Sequence, residues 1–168
     1  MQQCWFVART RYFHREILMR DVLTDLGIEN FVPTVKRKRT RGKGMAERAA
    51  APNLVFVRID RQSALALITE RHLPMEWIQD CATRAMMVVP DKQMDDFQRV
   101  FSEASLEEGG LLTVPFTPGD SVQVTDGPLK GVEGTIMEEA GKLYVVVGLA
   151  GSLFARALVP KAWLKIMR

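Results

Sequence analysis

Pro118-Gly119-Asp120-Ser121-Val122-Gln123-Val124-Thr125-Asp126-Gly127-Pro128-Leu129-Lys130-Gly131-Val132-Glu133-Gly134-Thr135-Ile136 is the stretch whose reading decides the fold. It reads as two short β-strands joined by closely specified turns. Pro118-Gly119-Asp120 is a turn signal. Val122 and Val124 alternate with Ser121, Gln123 and Thr125, the two-residue period of a half-buried strand. Asp126-Gly127-Pro128 is a second turn, because glycine reaches positive φ and proline fixes its own φ. Gly131 and Gly134 bracket the start of the next strand, where a glycine marks a bulge or a close backbone approach.

Outward from that stretch, the C-terminal third reads entirely as strand: Val122–Val124, Gly134–Glu138, Lys142–Val147, Ala157–Val159 and Trp163–Ile166. Short strands separated by glycine turns suggest a small barrel, which closes its edges on itself. Upstream, Glu107-Glu108-Gly109-Gly110 is polar and glycine-bearing, and suits an interdomain linker. The N-terminal part alternates strand and helix. Trp5–Ala8 is an apolar run that suits a central strand. Phe13–Leu26 carries Ile17, Leu18, Val22, Leu23 and Leu26 at helical spacing, and Gly27 fits the C-cap. Ile28–Val35 reads as a second strand, in which Pro33 argues for an edge position or a bulge. Lys36–Lys43 is a charged tip on a long hairpin, and Asn53–Ile59 is the returning strand. Ser63 can cap a helix running to Arg71. Trp77-Ile78 and Ala85–Val89 are short strands, and Asp91–Ser105 is a third helix with Met94, Phe97 and Phe101 on one face.

A chain of 168 residues can hold two small domains, and 47% apolar with 26% charged residues is a globular composition. No apolar run approaches the roughly 20 residues that cross a bilayer. The N-terminus does not read as a signal peptide. Cys4 and Cys81 lack metal-ligand spacing, and reduced thiols in a cytoplasmic protein are expected. Residues 1–105 hold 17 Lys/Arg and 13 Asp/Glu, whereas residues 106–168 hold 6 and 7. Only the first part is therefore charged to meet a polyanion.

No catalytic constellation is visible, so the chain reads as a non-enzyme with no cofactor and no metal. His14 and His72 have no partner at recognisable spacing. The glycines at 119–134 lie in strand sequence rather than before a helix, so they form no phosphate loop. The acidic residues are scattered among basic ones, as on solvated helix faces. Two basic groups are candidate binding sites. Lys36, Arg37, Lys38, Arg39, Arg41 and Lys43 place six positive charges in eight residues. That run is either a solubilising loop or an arm that lies along backbone phosphates or against an acidic protein surface. Arg9, Arg11, Tyr12, His14 and Arg15, with Arg20 beyond, are either an ordinary charged helix start or a mixture of phosphate-binding and base-stacking groups.

The 118–136 stretch resembles the KOW motif, carried by Gly119, Asp120, Val122, Val124, Gly127, Pro128, Gly131, Gly134 and Ile136. The N-terminal order β-α-β-β-α-β-α resembles the NGN domain of NusG-type transcription factors. There the resemblance rests on Trp5-Phe6-Val7, Glu16, Glu29–Pro33, Pro52–Val57 and Val89-Pro90-Asp91. Together the two cover nearly the whole chain. The resemblance implies an α+β protein: an NGN-like α/β sandwich at 1–105, with an antiparallel sheet and flanking helices, a linker at 106–115 and an SH3-like KOW β-barrel at 116–168. A stable barrel is expected, since Val145-Val146-Val147 and the glycines disfavour a helical alternative.

The resemblance also implies a function: transcription elongation or antitermination through binding of RNA polymerase, by a monomer without membrane attachment. In the family, the first strand and the returning hairpin strand form a pocket for the polymerase clamp; here the matching residues are Phe6, Ala51, Pro52, Asn53, Leu54 and Phe56. Ala51 and Leu54 stand where many relatives carry aromatics. Phe6, Phe56 and Met94 could re-form that surface, or Phe6 and Phe56 could be core. In RfaH-type relatives the start of the first helix reads the non-template DNA strand, which singles out Arg11 and Arg15. The KOW barrel would recruit a ribosomal protein or a termination factor. Pro52-Asn53, the basic hairpin and the arginine-rich helix start are similar to specialised RfaH/UpxY-type factors of polysaccharide operons. A housekeeping general factor and a ribosome-associated RNA-binding protein are the alternatives.

Overall fold

The computed structural model describes residues 2–12, 15–38, 41–50, 53–104, 111–112, 119–149 and 153–167. It divides into two compact units, Met1–Asp91 and Lys92–Arg168. The fold is the mixed α/β arrangement expected: a sheet with helices, followed by a small all-antiparallel β domain.

The first unit contains β1 (Cys4–Thr10), α1 (Glu16–Asp25), β2 (Glu29–Phe31), β3 (Thr34–Lys38), β4 (Met45–Ala49), β5 (Leu54–Ile59), α2 (Arg61–Thr69), β6 (Met75–Trp77) and β7 (Val88–Val89). Its main sheet runs β2-β5-β1-β6, with β7 also on β1, and every pairing is antiparallel. β1 is central because Trp5, Phe6, Val7 and Ala8 are all buried; a strand buried on both faces reads as a continuous apolar run rather than an alternation. Phe6, Ala8, Val55 and Val57 share a core with Met19 and Leu23 of α1 and Ala64 and Leu67 of α2. The Trp77 indole N–H donates to the Ala64 carbonyl at 2.9 Å, so a large, partly buried ring keeps its polar atom satisfied.

Three local expectations change. The single strand expected over Ile28–Val35 is two strands: β2 pairs with β5 and β3 with β4. The break falls at Val32-Pro33, where proline supplies no N–H to a ladder and its carbonyl instead accepts from Ala50 at 2.7 Å. The second helix is capped by Asp60 rather than Ser63; Asp60 accepts the Ser63 amide at 2.9 Å, and the helix starts at Arg61. That bond to the first-turn amide holds the Asp60 carboxyl below its usual range. The first helix, expected from Phe13, begins at Glu16.

The second unit holds most of α3 (Asp91–Ala104) with β8 (Leu111–Leu112), β9 (Ser121–Val124), β10 (Glu133–Glu139), β11 (Lys142–Leu149), β12 (Leu153–Leu158), a 3-10 turn (Lys161–Trp163) and β13 (Leu164–Ile166). The sheet order is β13-β9-β10-β11-β12-β8. It is curled, for residues from the ends of β9 and β12 line one small cavity that also includes Leu129 and Trp163. Val122, Val124, Val145, Leu149, Leu153 and Ala155 are buried within it. At Gly134 a Cβ would collide with the Val146 carbonyl oxygen of the neighbouring strand, which is the close approach that the motif predicts.

The division into compact units falls at Asp91/Lys92, and within the second unit α3 carries polar side chains that bond to the β domain. Lys92 Nζ donates to the Gly131 carbonyl at 2.8 Å, and Gln93 Nε2 to Gly148 at 2.6 Å. Arg99 donates to Pro128 at 3.1 Å and Lys130 at 2.7 Å. Of the linker expected at 106–115, only Leu111 and Leu112 are among the described residues. They pair with Phe154 and Ala155 of β12.

Candidate functional site

At one end of the first sheet, the chain leaving β1, the start of α1 and the start of β5 converge. The Thr10 amide donates to the Asn53 carbonyl at 2.9 Å, continuing the β1–β5 ladder one step past Arg9 and Leu54. Asn53 has φ +65°, a left-handed conformation that asparagine tolerates better than most residues. Its amide donates to Glu16 Oε1 at 2.6 Å. Glu16 is only 3% exposed although it sits in the first turn of a helix. That turn favours a carboxylate, because its unpaired amides carry partial positive charge.

Around this buried centre lie cationic and aromatic groups. Arg9, Arg11 and Arg15 are exposed, and Tyr12 is 62% exposed. The Arg11 amide is anchored on the Pro74 carbonyl at 3.0 Å. Arg15 occupies the N-cap position of α1 and makes no side-chain capping bond there. His14 lies outside the described residues. The arrangement can hold a phosphate backbone and offer a ring for stacking, and among the described residues it pairs no nucleophile with a base.

Arg20 is committed elsewhere. It reaches Glu47 on β4 at 2.9 Å and Asp21 at 3.1 Å. Burial disfavours its charge, yet the two carboxylates outweigh that and raise its pKa further. Glu47 also accepts from the Thr34 hydroxyl at 2.9 Å. The Thr34 and Arg20 bonds hold the Glu47 carboxyl below its usual range. This small network ties the β3–β4 hairpin to α1. On that hairpin Lys36, Arg41 and Lys43 are exposed. Arg37 and Lys38 pair along β3 opposite Ala46 and Met45, and Arg39 lies outside the described residues.

The six residues matched to the polymerase pocket divide. Phe6 is 4% and Phe56 0% exposed; Phe6 belongs to the core, and Phe56 packs near Phe31 with ring centroids 6.2 Å apart. Neither presents a contact surface, because the β1–β5 pairing is buried on both faces. Met94 is equally buried. Asn53 and Leu54 are half-buried. Ala51 and Pro52 lie outside the described residues. In the KOW stretch, Val122 and Val124 point into the β domain, whereas Gly119 and Asp120 are exposed.

Two buried carboxylates escaped the reading of acidic residues as solvated. Glu16 is one. Asp96, also 3% exposed, accepts from Lys92 at 2.9 Å and from the Glu133 amide at 3.1 Å. The signal for Glu16 was an isolated acid at a helix start surrounded by arginines. Among the described residues no group of three or more His, Cys, Asp or Glu could hold a metal ion, and no helix is long and apolar enough to cross a membrane.

A sequence model of the family described as "Transcription termination factor nusG" matches residues 3–98. The chain belongs to the NusG family. This family consists of transcription factors whose members bind RNA polymerase, so the chain is placed among transcription elongation and antitermination factors. A solved structure described as "Domain interaction in Thermotoga maritima NusG" aligns over 100% of this chain and 99% of that one, at 18% identity and a TM-score of 0.49. No curated protein sequence matches significantly.

Proposed function

We propose that this NusG-family chain is a specialised elongation and antitermination factor. Its N-terminal unit grips RNA polymerase through the start of β5, at Asn53 and Leu54. Its exposed Arg9, Arg11, Tyr12 and Arg15 meet the displaced DNA strand. The observation that carries this reading is the juxtaposition at the end of the β1–β5 ladder, where exposed arginines and a 62%-exposed tyrosine adjoin Asn53. Arginines neutralise phosphates while an aromatic ring stacks on an unpaired base. The mechanism is not chemical. A factor that binds the closed, active polymerase more tightly than the paused one shifts the population towards elongation.

The β3–β4 hairpin, with Lys36, Arg41 and Lys43 at its exposed end, adds phosphate contacts without sequence preference. The KOW domain recruits a second partner, a ribosomal protein or a termination factor. A housekeeping role is the second reading, and the two separate on one property. A specialised factor requires a leader sequence in the displaced strand; a general one does not.

The test is transcription in vitro with purified polymerase on templates with and without a candidate leader, using wild type and Arg11→Ala/Arg15→Ala. Leader-dependent suppression of pausing that the double variant loses supports the specialised reading. Equal effects on every template support the general one. No binding to polymerase at low salt would remove both.

A further inference from the structure

Glu16 is buried, and neither proposed contact uses it directly. Its Oε1 accepts the Asn53 amide at 2.6 Å. Asn53 then reaches Thr10 twice. Its carbonyl accepts the Thr10 amide at 2.9 Å, and its Oδ1 lies 3.3 Å from the Thr10 hydroxyl. The same hydroxyl lies 3.1 Å from the Tyr12 carbonyl. Thr10 is itself 3% exposed. One hydroxyl proton serves one acceptor at a time. With the Asn53 side-chain amide turned end for end, Asn53 would donate to Thr10 and Thr10 to Tyr12, an unbroken chain from the carboxylate to the tyrosine backbone.

A buried carboxylate is a costly way to end a β-strand, because its desolvation must be offset by the bonds it accepts. A left-handed residue other than glycine adds strain that persists only where the surroundings impose it. Both features meet at one amide, and both stretches of the proposed interface leave from it: Asn53-Leu54 on one side, Arg11-Tyr12 on the other. We propose that Glu16 is a positioning residue. It fixes the Asn53 turn and, through Thr10, the Tyr12 backbone, so that the polymerase-facing and DNA-facing segments keep one fixed relation. Arg15, its neighbour in sequence, is set by the same helix start. This inference rests on the proposed function for its consequence, though not for its geometry.

The experiment uses the full chain with Glu16→Ala, Glu16→Gln and Asn53→Gly. Amide NMR reads the pin directly, without any partner. Glu16→Ala is expected to shift the Asn53 and Tyr12 amide signals together and to speed Asn53 exchange about tenfold, since that amide loses its acceptor. Amides of β5 near Ile59 stay as they are. Glu16→Gln keeps an acceptor oxygen and restores most of the wild-type signals. Asn53→Gly keeps the Glu16 bond and loses only the Tyr12 response. Polymerase binding and crosslinking of the 11–15 stretch to the displaced strand then read the consequence. Both fall about tenfold in Glu16→Ala and recover in Glu16→Gln. A Tyr12 signal indifferent to Glu16→Ala, or binding and crosslinking both unchanged, would overturn the inference. A wild type that binds no polymerase would sink the functional reading instead, while the amide signals would still decide the pin. If Glu16→Ala does not fold, Glu16→Gln and Asn53→Gly carry the comparison: identical Tyr12 signals in wild type and Asn53→Gly would count against the chain.

Discussion

Asp96 takes hydrogen bonds from Lys92 and from the Glu133 amide while only 3% exposed. Truncating one partner of such a group leaves the others buried and unpaired, which costs more than the bond itself contributes. Asp96→Ala is therefore expected to destabilise the second unit by about 1–3 kcal/mol. Hydrogen exchange at the Glu133 amide is the measurement, since that donor loses its acceptor. Gly134 acts by shape alone. A methyl group there meets the Val146 carbonyl oxygen across the β10–β11 ladder. Gly134→Ala should cost about 1–3 kcal/mol by overpacking and lower the melting temperature of the β domain. An unchanged melt would mean that the ladder yields more easily than its register suggests. Phe56→Ala would lower polymerase binding for an uninformative reason, because a ring 0% exposed is core. Leu54, half-buried at the start of β5, is the better probe.

The β3–β4 hairpin is held to α1 by Glu47, which accepts from Thr34 and Arg20. Those two bonds hold its carboxyl below the usual glutamate range in the folded chain. A group with a depressed folded pKa contributes stability that is present above its unfolded pKa and lost as pH falls through the folded one. The hairpin amides should thus exchange faster as pH falls through the usual glutamate range and below it, beyond the intrinsic trend, and Glu47→Gln should remove the extra pH dependence. At this level the sequence was informative where the pattern was local. Trp5–Ala8 announced a strand buried on both faces, and Met94, Phe97 and Phe101 announced the buried side of α3. It was silent where partners are distant. The bonds from Lys92, Gln93 and Arg99 to backbone carbonyls of the β domain have no sequence signature. Pro33 pointed to an edge position or a bulge, not to two strands that pair with different partners.

Across the whole molecule, charge is unevenly divided, with 17 Lys/Arg against 13 Asp/Glu in residues 1–105 and 6 against 7 in residues 106–168. The basic hairpin lies in the first, and neutralising Lys36, Arg41 and Lys43 should weaken binding to DNA-bearing complexes uniformly across sequences. The slope of log affinity against log salt should fall by roughly one for each phosphate contact removed. The family was legible because its motifs recur in order along one chain, although each is weak alone. The candidate site was legible in part. Arg11, Tyr12 and Arg15 stood out by type, whereas Glu16 and Asn53 are joined by a hydrogen bond spanning 37 residues of sequence. The most direct test of the central claim is binding of the full-length protein to elongation complexes that display the displaced DNA strand, with Arg11→Ala/Arg15→Ala alongside. The account predicts saturable binding by the wild type, with crosslinks from the 11–15 stretch to that strand. It predicts that the double variant still binds polymerase but loses the crosslinks. No saturable binding by the wild type at low salt, or crosslinks unaffected by the double substitution, would contradict it.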